Sequence, residues 1–147
     1  MNVALNEAKK AYNKNEVPVG CVIVNKSGFL LTKKHNLMQG RLNPNDHAEM
    51  LAISAACKEL KSKNLSDCDL YVTLEPCTMC ASAISNARIR RLYYGASDSK
   101  QGAIENGVRF FTSSNSMHKP EIYSGIREVE SIQLMQKFFH NLRRLSS

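Results

Sequence analysis

Residues 69–87 read D-L-Y-V-T-L-E-P-C-T-M-C-A-S-A-I-S-N-A, and the fold turns on this stretch. Asp69 to Glu75 has the β-branched and aromatic content of a strand. Pro76 ends it, because proline has no N–H to give a sheet but loses nothing at the first position of a helix. The stretch therefore predicts a strand, a break, and a helix opened by Pro76 and running to about Arg88. Cys77 and Cys80 then share its first turn, and a spacing of i, i+3 puts both sulfurs on one face. Amides at a helix start favour thiolate over thiol. Two adjacent thiolates repel and call for a cation, and zinc accepts sulfur and imidazole in a tetrahedral set.

A third ligand lies upstream, in Asp46-His47-Ala48-Glu49. His47, Cys77 and Cys80 would hold one zinc per chain and leave its fourth position for water. Catalytic zinc sites keep that opening and structural ones close it. Glu49, two residues from His47, can face the open position as a general acid and base without binding the metal. H-x-E followed by P-C-x-x-C is the general signature of zinc-dependent nucleobase deaminases. Other readings stand beside this one. Glu49 follows Asp46 by three residues and could serve a helix cap. The two cysteines could be a redox pair. A closed structural site would need a fourth ligand such as Cys68 or Cys57, though neither has zinc-ribbon spacing.

The chain has 147 residues, enough for a single domain over 1–147 with a real core and too few for two. It has no apolar run long enough to span a membrane, and its first residues mix charges among the apolar ones, unlike a signal peptide. Five cysteines without framework spacing point to a reducing, cytoplasmic setting, with Cys21, Cys57 and Cys68 as small buried hydrophobes. The net charge of +7 is an excess for an enzyme of small metabolites and the expected footprint of a nucleic-acid partner. Lys9, Lys10 and Lys14 could equally be plain solvated charge.

Outward from the cysteines, periodicity predicts a helix over Asn2 to Lys14, a strand over Val19 to Asn25, a tight hairpin turn at Lys26-Ser27-Gly28, and a second strand over Phe29 to Lys34. An irregular stretch, His35 to Asp46, delivers His47 to a largely apolar helix ending at Leu60. Arg90 to Ala96 reads as a fourth strand and Glu121 to Gly125 as a short fifth. Residues 96–120 are polar and irregular, a pattern that is often functional. Val129, Ile132, Met135, Phe138, Leu142 and Leu145 mark the apolar face of a last helix, which places Phe138 in the core. Strands alternating with helices predict a mostly parallel sheet with helices on its faces.

These residues resemble the cytidine deaminase superfamily and, within it, the bacterial tRNA-specific adenosine deaminases. The resemblance spans nearly the whole chain. It rests on Glu16-Val17-Pro18-Val19-Gly20, His35-Asn36, Asn43-Pro44, His47-Ala48-Glu49, and Leu70 through Cys77. It continues through Tyr94-Gly95-Ala96, Asp98, Lys100, Gly102, Ala103, Phe138-Phe139 and Arg143-Arg144. It implies a three-layer α/β/α sandwich around a five-stranded mixed sheet, and a homodimer whose partner helps shape each site. It implies conversion of adenosine to inosine at the wobble position of an anticodon stem-loop. Asn36 would hydrogen-bond the purine, the Ala48 N–H would hold the reacting oxygen, and Val19 would form a pocket wall. Asp98 and Lys100 would touch the RNA backbone, with Lys33, Lys34, Arg41, Arg143 and Arg144 as further phosphate contacts. The chain departs from the family pattern at Leu42, Asn45-Asp46 and Ser97, all at the substrate rim. A deaminase of a free base or nucleoside would use the same zinc and the same Glu49; a non-catalytic zinc module that binds RNA would not need the open position.

Overall fold

Gly20 sets how closely the first helix lies on the sheet: a Cβ there would stand 1.9 Å from the carbonyl oxygen of Ala4 and 2.7 Å from the nitrogen of Ala8. In the computed structural model, which describes residues 1–146, that helix is α1 (Asn2–Asn13) and Gly20 opens strand β1 (Gly20–Asn25). The chain continues through β2 (Leu30–His35), α2 (Ala48–Leu60), β3 (Cys68–Leu74), α3 (Thr78–Ala87), β4 (Arg91–Ala96), a 3-10 turn (Phe110–Thr112), β5 (Glu121–Tyr123) and α4 (Glu128–Leu145). The five strands form one sheet in the order β2-β1-β3-β4-β5.

The alternation of strands and helices predicts a mostly parallel sheet and the resemblance a mixed one, and the ladder is mixed, with β1 as the one reversed strand. β1 is antiparallel to both β2 and β3, whereas β3–β4 and β4–β5 are parallel. The cause is the short turn at residues 26–28, too short for a crossover, which folds β2 straight back on β1. There Asn25 Oδ1 accepts the N–H groups of Ser27 and Phe29, and Gly28 takes a φ of +84°. The chain then crosses over β1 through α2, so β2, β3, β4 and β5 run the same way and β1 alone is reversed. The C-terminal ends of β2, β3 and β4 thus share one edge, where open α/β sheets gather their ligand-binding residues.

Strand alternation sorts the layers. Cys21 and Ile23 of β1, Leu70 and Val72 of β3, and Leu92 of β4 pack with Ala48, Ala52 and Ala56 of α2 and Ala81 and Ile84 of α3. Small residues let both helices sit close, and each fully buried aliphatic side chain here contributes about 1.5–3 kcal/mol. Gly20 and Gly95 face the other side, against α1 and Ser131 of α4 respectively. The result is the expected three-layer sandwich. Cys21 and Cys68 are buried and Cys57 is half-buried, all with free thiols. Along α4, Phe138 is buried as expected, but Val129 and Leu145 stand 64% and 82% exposed, because the ends of the helix run past the sheet. Among the described residues no helix is long and apolar enough to cross a membrane.

Candidate active site

Two helices begin at the same point. His47 is the N-cap of α2 and Cys77 the N-cap of α3, both in extended conformation. The sequence predicts Pro76 as the first helical residue. Instead Pro76 lies before the cap, buried, with its carbonyl accepting the N–H of Ala103 at 2.9 Å. Cys80 keeps its place in the first turn of α3.

His47 Nδ1 lies 3.7 Å from Cys77 Sγ and 3.5 Å from Cys80 Sγ. All three donor atoms fall within 4.8 Å of one another. Zinc bonds of about 2.0–2.1 Å to nitrogen and about 2.3 Å to sulfur, at a tetrahedral angle, separate N from S by about 3.6 Å. The side chains therefore fit a zinc ion, with Nδ1 as the imidazole donor. The thiols agree. Hydrogen bonding from Cys80 and His47 outweighs burial and holds the Cys77 thiol down at about 4. The neighbouring Cys77 sulfur and burial push the Cys80 thiol far up. Two sulfurs competing for one proton is the electrostatic conflict that a cation between them removes.

Glu49 is buried on the first turn of α2, 4% exposed. Burial pushes its carboxyl up to about 7; a dication on the three ligands acts in the opposite direction. The Asp46–Glu49 capping alternative finds no support, since the cap is His47 and no side chain bonds it. Cys68 stands at the start of β3, a full strand length from Cys77, and Cys57 lies near the end of α2. Among the described residues the metal-binding group comprises His47, Cys77 and Cys80.

Asn36, Ala48 and Val19 come together around this centre. Ala48 N–H donates to Asn36 Oδ1 at 2.7 Å, Asn36 Nδ2 donates to Val17 O at 3.1 Å, and Asn36 N–H donates to Val19 O at 3.2 Å. The Ala48 amide, expected to hold a reacting oxygen, here donates to Asn36 Oδ1. Asp98 and Lys100 follow β4 at the same sheet edge, where Asp98 Oδ1 accepts the N–H groups of Lys100 and Gln101 and caps its own turn.

The basic residues do not form one surface. Lys33 and Lys34 are neighbours on an edge strand, so they face opposite sides of the sheet. Arg41 pairs with Asp46 at 3.8 Å. Arg143 and Arg144 are exposed in the last turn of α4, in the α1 layer, where Asn141 reaches Tyr12. Helices α2 and α3 cover the opposite face.

Sequence reasoning passed over two buried carboxylates. Glu16, 1% exposed, accepts the N–H groups of Gln39 and Gly40 at 2.9 and 2.7 Å, pinning the loop that leads to His47. Glu75, 2% exposed, does the same for the loop after β4. For Glu75 the available signal was a glutamate at the end of an apolar strand, beside a proline and far from any basic residue in sequence; Glu16, two residues after Lys14, gave no such signal.

Residues 1–96 match the family described as the cytidine and deoxycytidylate deaminase zinc-binding region. The chain is 54% identical over 144 residues to the tRNA-specific adenosine deaminase of Rickettsia typhi, covering 97% of each. The chain belongs to the cytidine and deoxycytidylate deaminase family, in its tRNA-specific adenosine deaminase branch. The Bacillus subtilis tRNA-specific adenosine deaminase is 40% identical over 144 residues, 98% of this chain and 89% of that one. A solved structure from studies of A-to-I editing by tRNA:A34 deaminases at the wobble position superposes with a TM-score of 0.89 at 49% identity, covering 91% of this chain and 96% of that one. The guanine deaminase of Nitrosomonas europaea has a TM-score of 0.81 at 19% identity, covering 93% and 81%, which shows a shared fold alone. Within this family the His47, Cys77 and Cys80 group is a zinc centre, as its spacing predicts.

Proposed function

We propose that this chain hydrolyses adenosine to inosine at the wobble position of a transfer RNA anticodon, releasing ammonia. The observation that carries the reading is the convergence of His47, Cys77 and Cys80 beside buried Glu49, in a chain at 54% identity to a tRNA-specific adenosine deaminase. When bound, the zinc supplies the Lewis acidity that makes water a nucleophile at neutral pH. Glu49 takes one proton from the attacking water and passes it to N1 of the purine, then takes the second from the hydroxyl now on the purine and gives it to the amine, which leaves as ammonia. The reacting carbon is C6. Asn36 and Val19 orient and enclose the ring, and the helix start at Ala48 favours the negative charge that develops there. A base can enter such a pocket only unstacked, and a single-stranded loop makes that cheap.

Lys100 supplies charge toward the phosphates at the edge of the site, while Arg41, Lys33, Lys34, Arg143 and Arg144, on separate surfaces, add to the overall positive field, so affinity falls steeply with salt. One domain over 1–147 does this work as a homodimer, as the resemblance implies, in a reducing cytoplasm that keeps Cys21, Cys57 and Cys68 as thiols and leaves Cys77 and Cys80 to the metal. The test is ammonia release from an anticodon stem-loop with adenosine at the wobble position, with and without a chelator, beside free adenosine, guanine and cytosine. Turnover of the stem-loop alone, abolished by the chelator, is the expected result. Turnover of a free base instead would replace the substrate. Tight RNA binding without ammonia would leave a zinc module and no enzyme.

A further inference from the structure

Besides Glu49, the site edge holds a second buried carboxylate that the chemistry does not use. Glu75 is 2% exposed and lies two residues before Cys77. Among the described residues it has no ion-pair partner. Its oxygens are filled by the loop that follows β4 instead. Oε1 accepts from Ser97 Oγ at 3.2 Å, the Asp98 N–H at 3.0 Å and Asn106 Nδ2 at 2.6 Å. Oε2 accepts three successive backbone N–H groups, from Ile104, Glu105 and Asn106, at 3.0, 3.0 and 3.1 Å. Successive N–H groups closing on one oxygen form an anion nest, here built by the chain around its own side chain.

The loop is moulded to that charge. A Cβ at Gly102 would lie 2.5 Å from the Glu75 carboxyl carbon and 2.4 Å from Asp98 O, so only glycine lets the chain pass this close. Residues 97–106 contain no helix or strand. Ile104 of the loop packs in the core, and the loop's hydrogen bonds toward the site run to Glu75 and from the Ala103 N–H to Pro76 O, both on the segment that delivers Cys77. The same loop leaves β4 at the sheet edge that carries the metal centre and presents exposed Lys100 there.

We propose that Glu75 is a positioning residue for RNA binding: its carboxylate fixes the 97–106 loop against the Glu75-Pro76 segment that leads into Cys77 and so sets where Asp98 and Lys100 stand relative to the zinc centre. This rests on the tRNA deaminase reading, because it takes the loop to be a wall that the RNA meets. Glu75→Gln keeps the size but replaces one acceptor oxygen with an NH2 group, which faces three donors whichever way the amide turns. Asn106→Ala acts from the loop side and leaves Glu75 in place.

Both variants and their double are assayed on the anticodon stem-loop, with zinc measured by elemental analysis. Amide exchange is followed in the zinc-loaded protein without RNA. KM is expected to rise about fivefold or more with kcat within about twofold, the mark of lost binding rather than lost chemistry. Zinc stays at one per chain. The amides of 104–106 exchange about tenfold faster while those of α2 and α3 are unchanged. The double variant is no worse than Glu75→Gln alone, because both act through one contact. An unchanged KM with unchanged exchange overturns the proposal. So does zinc loss with a fall in kcat alone, which would make Glu75 a support for Cys77 only. If the wild type does not deaminate the stem-loop, the tRNA reading fails first, and the exchange data still decide whether Glu75 holds the loop.

Discussion

The backbone N–H of Ala48 donates to Asn36 Oδ1 over 2.7 Å, in the buried corner where β2 ends and α2 begins. One side chain thereby ties the helix that carries His47 and Glu49 to the strand before it. Asn36→Ala leaves that amide, and the Val17 carbonyl that Asn36 Nδ2 serves, without their partner. A buried group left so costs about 1–3 kcal/mol. The urea midpoint of the zinc-loaded variant should drop accordingly, with turnover falling too. A midpoint equal to wild type would show that the bond contributes nothing.

Glu49→Gln removes the proton carrier and keeps the shape. Turnover should fall by about 10²–10⁴, the usual contribution of general acid–base catalysis. Zinc content should stay at one per chain, since Glu49 is outside the metal-binding group. Steady-state ammonia release with elemental analysis checks both, and near-normal turnover would remove Glu49 from the chemistry.

Cys77→Ala takes away one of three protein ligands. The purified variant should carry little or no zinc and no activity, and a chelator should not lower its melting temperature further. The wild type should melt lower once the chelator has stripped its metal, because ligand binding stabilises the fold by mass action. Full zinc occupancy in the variant would overturn the ligand assignment.

Gly20→Ala and Gly28→Ala differ in kind. At Gly20 the new Cβ meets backbone atoms of α1, the nearest at 1.9 Å. Helix and sheet must part, at or above the roughly 1–3 kcal/mol of ordinary overpacking. At Gly28 a Cβ meets nothing within 4 Å, and the only cost is a φ of +84°, about 1–2 kcal/mol. Urea denaturation should rank Gly20→Ala as the more damaging; the reverse order would mean that α1 can shift freely on the sheet.

Glu7, buried on α1, should give the protein an acid-sensitive step. Its carboxylate takes Lys10 Nζ at 2.6 Å and His35 Nδ1 at 3.1 Å, while Lys14 Nζ sits 3.1 Å from the other His35 nitrogen. Burial alone would raise the carboxyl; the Lys10 and His35 hydrogen bonds outweigh it and hold it below its ordinary 4.5. A depressed carboxyl contributes stability that is present above its unfolded pKa and lost as pH falls through the lower folded one. Glu7→Gln should therefore be less stable than wild type at pH 7, with the gap closing between about pH 5 and pH 3. Urea midpoints across that range test it, and a gap independent of pH would mean that the loss is packing, not charge.

The sequence by itself determined the zinc group. His47, Cys77 and Cys80 are legible because ligand type and local spacing are properties of the chain, and the same spacing puts Glu49 two residues from His47. Periodicity likewise gave the helices and strands to within a residue or two, Asn2–Asn13 and Ala48–Leu60 among them. Pro76 was misplaced by two positions because its neighbour Cys77 takes the cap and Thr78 opens the helix, which local rules do not reveal.

Only the tertiary structure decided what depends on partners distant in sequence. The hairpin turn at 26–28 reverses β1 against β2 locally, but the placement of β1 between β2 and β3 comes from the crossover through α2, which no window of sequence contains. Glu75 and Glu16 read as ordinary surface-type residues until folding brings loop amides from 29–31 and 23–24 positions away onto their oxygens. Lys33 and Lys34 look alike in the chain and part to opposite faces in the sheet. Side-chain chemistry is written residue by residue, but which backbone donors a buried charge meets is fixed by how the strands are ordered.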